Sequence, residues 1–165
     1  MKLKFVFILF LTIVLCSCLN NNHIDKKFDN EFFDSVEKSK AEFYDYDWDG
    51  LTPTESYFVN SKIKYLRYRL EPEDGYNTAR VYFNEKTDSI EKYILRFVQY
   101  NSEKIFTKST DTIYVIYPLK RLVLTYANNR MIDSTFKKEI FNHNVDFTYE
   151  LKKNTEEHFH NEKFK

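Results

Sequence analysis

The chain has 165 residues, with 25 basic and 25 acidic side chains, so no basic excess stands ready for phosphates and nucleic acid is argued against as a partner. Glycine occurs only at Gly50 and Gly75, which excludes nucleotide-binding loops of the GxGxxG or Walker type, where several glycines let backbone approach a phosphate. Thirteen tyrosines, sixteen phenylalanines and one tryptophan point to an aromatic core and aromatic sheet faces, with a stacking surface for sugars or peptides as the alternative.

The chain opens Met1-Lys2-Leu3-Lys4, and Phe5 to Leu15 is apolar apart from Thr12. A positive start, then about 7–15 apolar residues, then small residues, is the layout of an export signal. As a helix this run would reach about 16 Å, half of a ~30 Å hydrocarbon core, so it does not read as a membrane span. Leu15-Cys16-Ser17-Cys18 follows and resembles the lipobox of bacterial prolipoproteins. Cys16 is the competing position, but Ile13-Val14-Leu15 before it offers no small residue. The resemblance implies cleavage after residue 17, a diacylglyceryl thioether on Cys18 and an acyl chain on its amine. Its implied place is the cell envelope, on the non-cytoplasmic side of a bacterial membrane or at the cell surface. Two or more chains, at ~0.8 kcal/mol per buried CH₂, hold a protein stably. Cys18 would then be the one remaining cysteine, which excludes an internal disulfide, a thiol nucleophile and a cysteine metal ligand.

Four regions follow: a signal over 1–17, a lipidated tether over 18–27, a single domain over 28–152 and a polar tail over 153–165. Residues 29–43 show helical spacing, with Phe28, Phe32, Val36 and Phe43 on one stripe helped by Phe33, and Asp29 is placed to cap the N-terminus. After Pro53 the spacing turns to that of strands. These are expected at Lys62–Leu70, Ala79–Asn84, Ser89–Asn101, Ile105–Tyr117 and Arg121–Ala127, the last paired with Arg130–Ser134 through Asn128-Asn129. Val145 to Lys152 alternates most cleanly of all, with Val145, Phe147, Tyr149 and Leu151 on one side, and predicts a final strand. The fold class is therefore α+β: one N-terminal amphipathic helix packed on an antiparallel, mostly meander sheet, with a small closed β-barrel as the alternative.

Two clusters carry candidate chemistry. Asp45, Asp47, Asp49 and Gly50 resemble the start of an EF-hand calcium loop, where alternate oxygens converge on one cation and glycine permits the sharp turn. The twelfth position holds Ser56, with Glu55 one residue early, so the choice lies between an irregular Ca²⁺ site on Asp45, Asp47, Asp49 and Glu55 and a solvated acidic turn. His158 and His160 would place two imidazoles on one side of an extended strand for Zn²⁺ or Cu²⁺, or else lie on a solvated tail. No nucleophile elbow and no HExxH motif is present. The sequence thus favours a non-enzymatic envelope lipoprotein, attached to the membrane through Cys18 and binding an envelope protein or glycan. Arg67 and Arg69, or Arg80 and Tyr82, form sheet rows that would meet such a partner. An immunity-type lipoprotein neutralising a secreted enzyme is the runner-up, and a hydrolase of envelope polymers comes third.

Overall fold

A computed structural model describes residues 23–47, 49–100, 110–142 and 145–163. The lipobox with Cys18 lies outside the described residues, as does Trp48. Helix α1 (His23–Lys38) begins inside the segment expected to be tether, so Asp29 is an interior residue of the helix and not its cap. Phe28, Phe32 and Val36, one turn apart, are its buried stripe. The helix stops at a Schellman-type closure: Lys40 takes φ +50°, its N–H donates to the Glu37 carbonyl, and the Ala41 N–H reaches back to Val36. Phe43 therefore falls beyond the helix, on a strand.

Eight strands follow: β1 (Glu42–Asp45), β2 (Thr54–Val59), β3 (Lys62–Leu70), β4 (Gly75–Phe83), β5 (Ile90–Gln99), β6 (Thr110–Tyr117), β7 (Leu122–Ala127) and β8 (Arg130–Asp133). Each pairs antiparallel with the next, and β1 and β8 are the two edges of an open meander, not members of a closed barrel. Two hairpins use two-residue turns with both residues left-handed: Asn60-Ser61 at φ 52° and 63°, and Asn128-Asn129 at φ 50° and 63°. Such turns match the right-handed twist of their strands. Gly75 opens β4 so close to β5 that a Cβ would lie 1.9 Å from the Val98 carbonyl oxygen.

The pleat sends alternate residues to two faces. One face presents Tyr57, Tyr65, Tyr82, Ile94, Ile113 and Val115 and is covered by the α1 phenylalanines. The other presents Phe58, Leu66, Val81, Leu95 and Ile116 and is covered from the C-terminal end of the chain. That cover is a correction to the expected final strand. After the short helix α2 (Lys138–Asn142), residues 145–152 belong to helix α3 (Val145–Lys163), which also absorbs most of the expected tail. Thr148, Leu151, Lys152, Thr155 and Phe159 form its buried face, and the Phe159 ring stacks on Phe58 at 3.9 Å between centroids. A ninth strand would have lengthened the sheet and left the apolar face wet, whereas a helix buries it. The architecture is α+β with a helix on each face of the sheet. No helix among the described residues is long and apolar enough to cross a membrane.

Candidate functional site

Strand alternation places Arg67 on β3, Arg80 on β4 and Arg96 on β5 on the face that α1 covers. Asp25 and Asp29 stand one helical turn apart on α1 and descend onto them. A chain of alternating charges results. Asp111 of β6 accepts two hydrogen bonds from Arg96, at 2.9 and 2.7 Å. Arg96 donates to Asp25, Asp25 accepts from Arg80 at 2.9 Å, and Arg80 donates to Asp29 at 2.7 Å. Asp29 lies 4.0 Å from Arg67, which donates to Glu55 of β2 at 2.7 Å. The ladder thus runs across five strands beneath the helix, and Lys92 paired with Glu31 adds a contact beside it. Burial weighs against the Arg96 cation, yet Asp111 and Asp25 outweigh it and hold the group protonated more firmly than usual. Arg80 is 2 % exposed, and its Nη1 has no hydrogen-bond partner among the described residues. Arg80 and Tyr82, expected on an open binding row, are covered by α1, and both sit in its contact layer.

At the Asp111 end of this ladder the sheet face is not fully covered, and a cavity of about 350 Å³ opens beside the first turn of α1. Its floor is apolar, made by Val98 and Ile113. Tyr76, Tyr100 and Tyr126 stand around it, with Asn128 and Asn129 of the β7–β8 turn at one side. The Asn129 side-chain oxygen accepts the Ile24 N–H at 3.1 Å, which ties the turn to the start of the helix. Burial raises the Tyr126 phenol above its ordinary range.

The acidic turn is held by its own hydrogen bonds. Asp49 accepts the Leu51 N–H at 2.9 Å, the Thr52 N–H at 2.7 Å and the Thr52 hydroxyl at 2.8 Å. Asp47 accepts the Thr52 N–H at 3.2 Å. These donors, the Leu51 N–H foremost, hold the Asp49 carboxyl below its usual range. Asp45 and Glu55 face each other across β1 and β2, and the Glu55 oxygens receive Arg67 and the Tyr57 hydroxyl. No group of three or more histidine, cysteine, aspartate or glutamate side chains among the described residues is arranged to hold a metal ion.

His158 and His160 sit on α3, where two residues subtend about 200° around the axis, so they do not form the one-sided pair expected of a strand. The His158 ring stacks on Tyr46 at 4.0 Å, and its Nδ1 is 2.6 Å from the Tyr44 hydroxyl, which also donates to Glu162 at 2.6 Å. Burial and then Glu162 push the Tyr44 phenol far above its ordinary range. This group fastens the end of α3 to the β1 edge.

Sequence reasoning missed Asp25, Arg96, Asp111 and the tyrosines around the cavity. The available signal was the i, i+4 pair Asp25 and Asp29, together with arginines recurring at inward positions of successive strands. No protein-family model, no curated protein and no solved structure matches the chain.

Proposed function

We propose that the protein is a lipid-anchored envelope protein, held by acylated Cys18, whose domain works as a non-enzymatic binding module at the membrane surface. The observation that carries this reading is the place of the cavity: Ile24, in the first turn of α1, is part of its wall. Four residues lie between Cys18 and His23, so five Cα–Cα steps give a reach of at most about 18 Å. A ligand in the cavity would therefore meet the protein close to the lipid surface. Binding is favoured over catalysis because the one carboxylate on the described wall, Asp111, is occupied on both oxygens by Arg96. Among the described residues no acid–base pair faces the opening. The experiment is cell fractionation of wild type and Cys18→Ser, followed by crosslinking of intact envelopes and recovery of the bound material. Wild type should partition with membranes and the variant should be soluble or unprocessed. Unchanged membrane partitioning of Cys18→Ser would refute the anchor.

A further inference from the structure

The side chains around the cavity beside Ile24 discriminate between classes of ligand. Arg96 is the one cation among the described residues that line it, and its guanidinium is paired with two carboxylates, Nε and Nη2 donating to Asp111 and Nη1 to Asp25. Among the described residues, a guanidinium so paired leaves little positive potential to attract a phosphate, a sulfate or a uronic acid.

A cationic ligand is disfavoured by the same bonds. The Asp111 charge is already matched by the Arg96 guanidinium, one bond to each oxygen, and the Tyr76 ring already has the Arg69 guanidinium 4.3 Å and the Arg96 guanidinium 5.7 Å from its centroid. The attraction that such a ring would offer an amine is already in use. A wholly apolar ligand would bury the Asn128 amide and the tyrosine hydroxyls without partners, at a cost of about 1–3 kcal/mol for each group. An extended peptide is poorly served too. Strands β4 to β7 are paired on both sides, so the cavity offers no free strand edge for peptide backbone.

A neutral polyol meets every one of these conditions. Its C–H faces can lie against Tyr100, which is 51 % exposed at the mouth, and on the Val98 and Ile113 floor. Its hydroxyls can bond to the Asn128 amide and the phenols, groups that both donate and accept. The volume lies at the small end of the roughly 300–1,000 Å³ usual for small-molecule sites, which suits a terminal or short saccharide unit. We propose that this cavity binds neutral saccharide units of an envelope glycan. The inference rests on the reading of the domain as an envelope binding module and names its ligand class.

The test uses the mature lipidated protein in an amine-oxide detergent, since a sugar-headed detergent would compete for the site. It is applied to an array of neutral, acidic and amine-bearing bacterial glycans and to a peptide array, and hits are titrated by calorimetry. Binding confined to neutral glycans is expected. The double variant Tyr100→Ala/Asn128→Gly should weaken it by about tenfold or more at an unchanged melting temperature. Both side chains are exposed and glycine keeps the left-handed turn. Should the double variant melt early, Tyr100→Ala alone is read in the same way. Silence on the neutral glycans, binding restricted to acidic glycans, amines or peptides, or a neutral-glycan affinity untouched by the variant would overturn the proposal. Cys18→Ser protein, purified without detergent, is run alongside to keep the two readings apart. Glycan binding without membrane attachment of wild type would retire the anchor alone, and attachment without glycan binding would retire the saccharide site alone.

Discussion

Replacing Asp25 by alanine tests the structure at its least expected point. The Asp25 carboxylate bridges Arg80 and Arg96, whose side chains are 2 % and 11 % exposed. Removing one partner of a buried ion pair costs about 3–5 kcal/mol, because the charge left behind stays desolvated. Here each guanidinium keeps a second carboxylate, Asp29 for Arg80 and Asp111 for Arg96, which places the loss at the lower end, about 3 kcal/mol. Alanine returns only a few tenths of a kcal/mol through helix propensity. For a chain of this length the melting temperature should fall by about 6–12 °C. Urea unfolding followed by circular dichroism gives the free energy directly. Glu31→Ala is the internal control: its carboxylate also meets a cation, Lys92, but is 47 % exposed, so its loss should cost less than about 1 kcal/mol. A double-mutant cycle of Asp25→Ala with Arg96→Met should return a coupling between about 0.5 and 3 kcal/mol. If Asp25→Ala costs no more than Glu31→Ala, residue 25 belongs to a solvated tether and the ladder beneath α1 is wrong.

Two further outcomes probe the C-terminal helix and the acidic turn. Ending the chain after Lys152 removes Phe159 from the core and Glu156 from its bonds to Lys152 and the Ile63 N–H, and should cost more than about 3 kcal/mol in urea unfolding; a truncated protein as stable as wild type would mean that residues 153–165 are a solvated tail. For Asp49, whose folded pKa lies below the ordinary aspartate value of 3.8, the ionised form favours folding. Its contribution is present above about pH 4 and is lost as pH falls through the lower folded value. Carboxyl NMR should therefore find Asp49 titrating below 3.8, and a midpoint at or above that value would refute the bonds to Leu51 and Thr52.

Local rules carried most of the sheet. The expected strand Lys62–Leu70 matches β3 residue for residue, and the Asn128-Asn129 turn joins β7 to β8 where two left-handed residues were expected. Both depend on neighbours a few positions apart, through alternation along the pleat and through the φ angles that asparagine tolerates. Strand β1 went unread because Phe43 extended the helical stripe, while Lys40 closes the helix with a conformation that lysine spacing does not announce. Of the calcium-like aspartates, Asp47 and Asp49 accept the turn's own N–H groups and the Thr52 hydroxyl, a choice made by backbone geometry.

The segment 145–163 shows where local pattern loses to packing. Val145, Phe147, Tyr149 and Leu151 alternate as a strand would, yet the same stretch carries Thr148, Leu151, Thr155 and Phe159 at helical spacing. Counting threonines as polar hides the second pattern, and only an apolar sheet face awaiting cover selects it. The amino-acid sequence by itself determined a meander with an aromatic core and, through Leu15 to Cys18, an expected lipid attachment. The tertiary structure alone decided that both sheet faces are roofed, that Arg80 lies beneath a helix and not on a binding row, and that a tyrosine-lined cavity opens beside Ile24. The physical reason is that alternation and turn preference act over a few residues. The ion pairs of Asp25 with Arg80 and Arg96, and the cavity wall shared by Ile24 and Asn129, instead join positions far apart in the chain, which meet only once the strands are paired and the helix has docked.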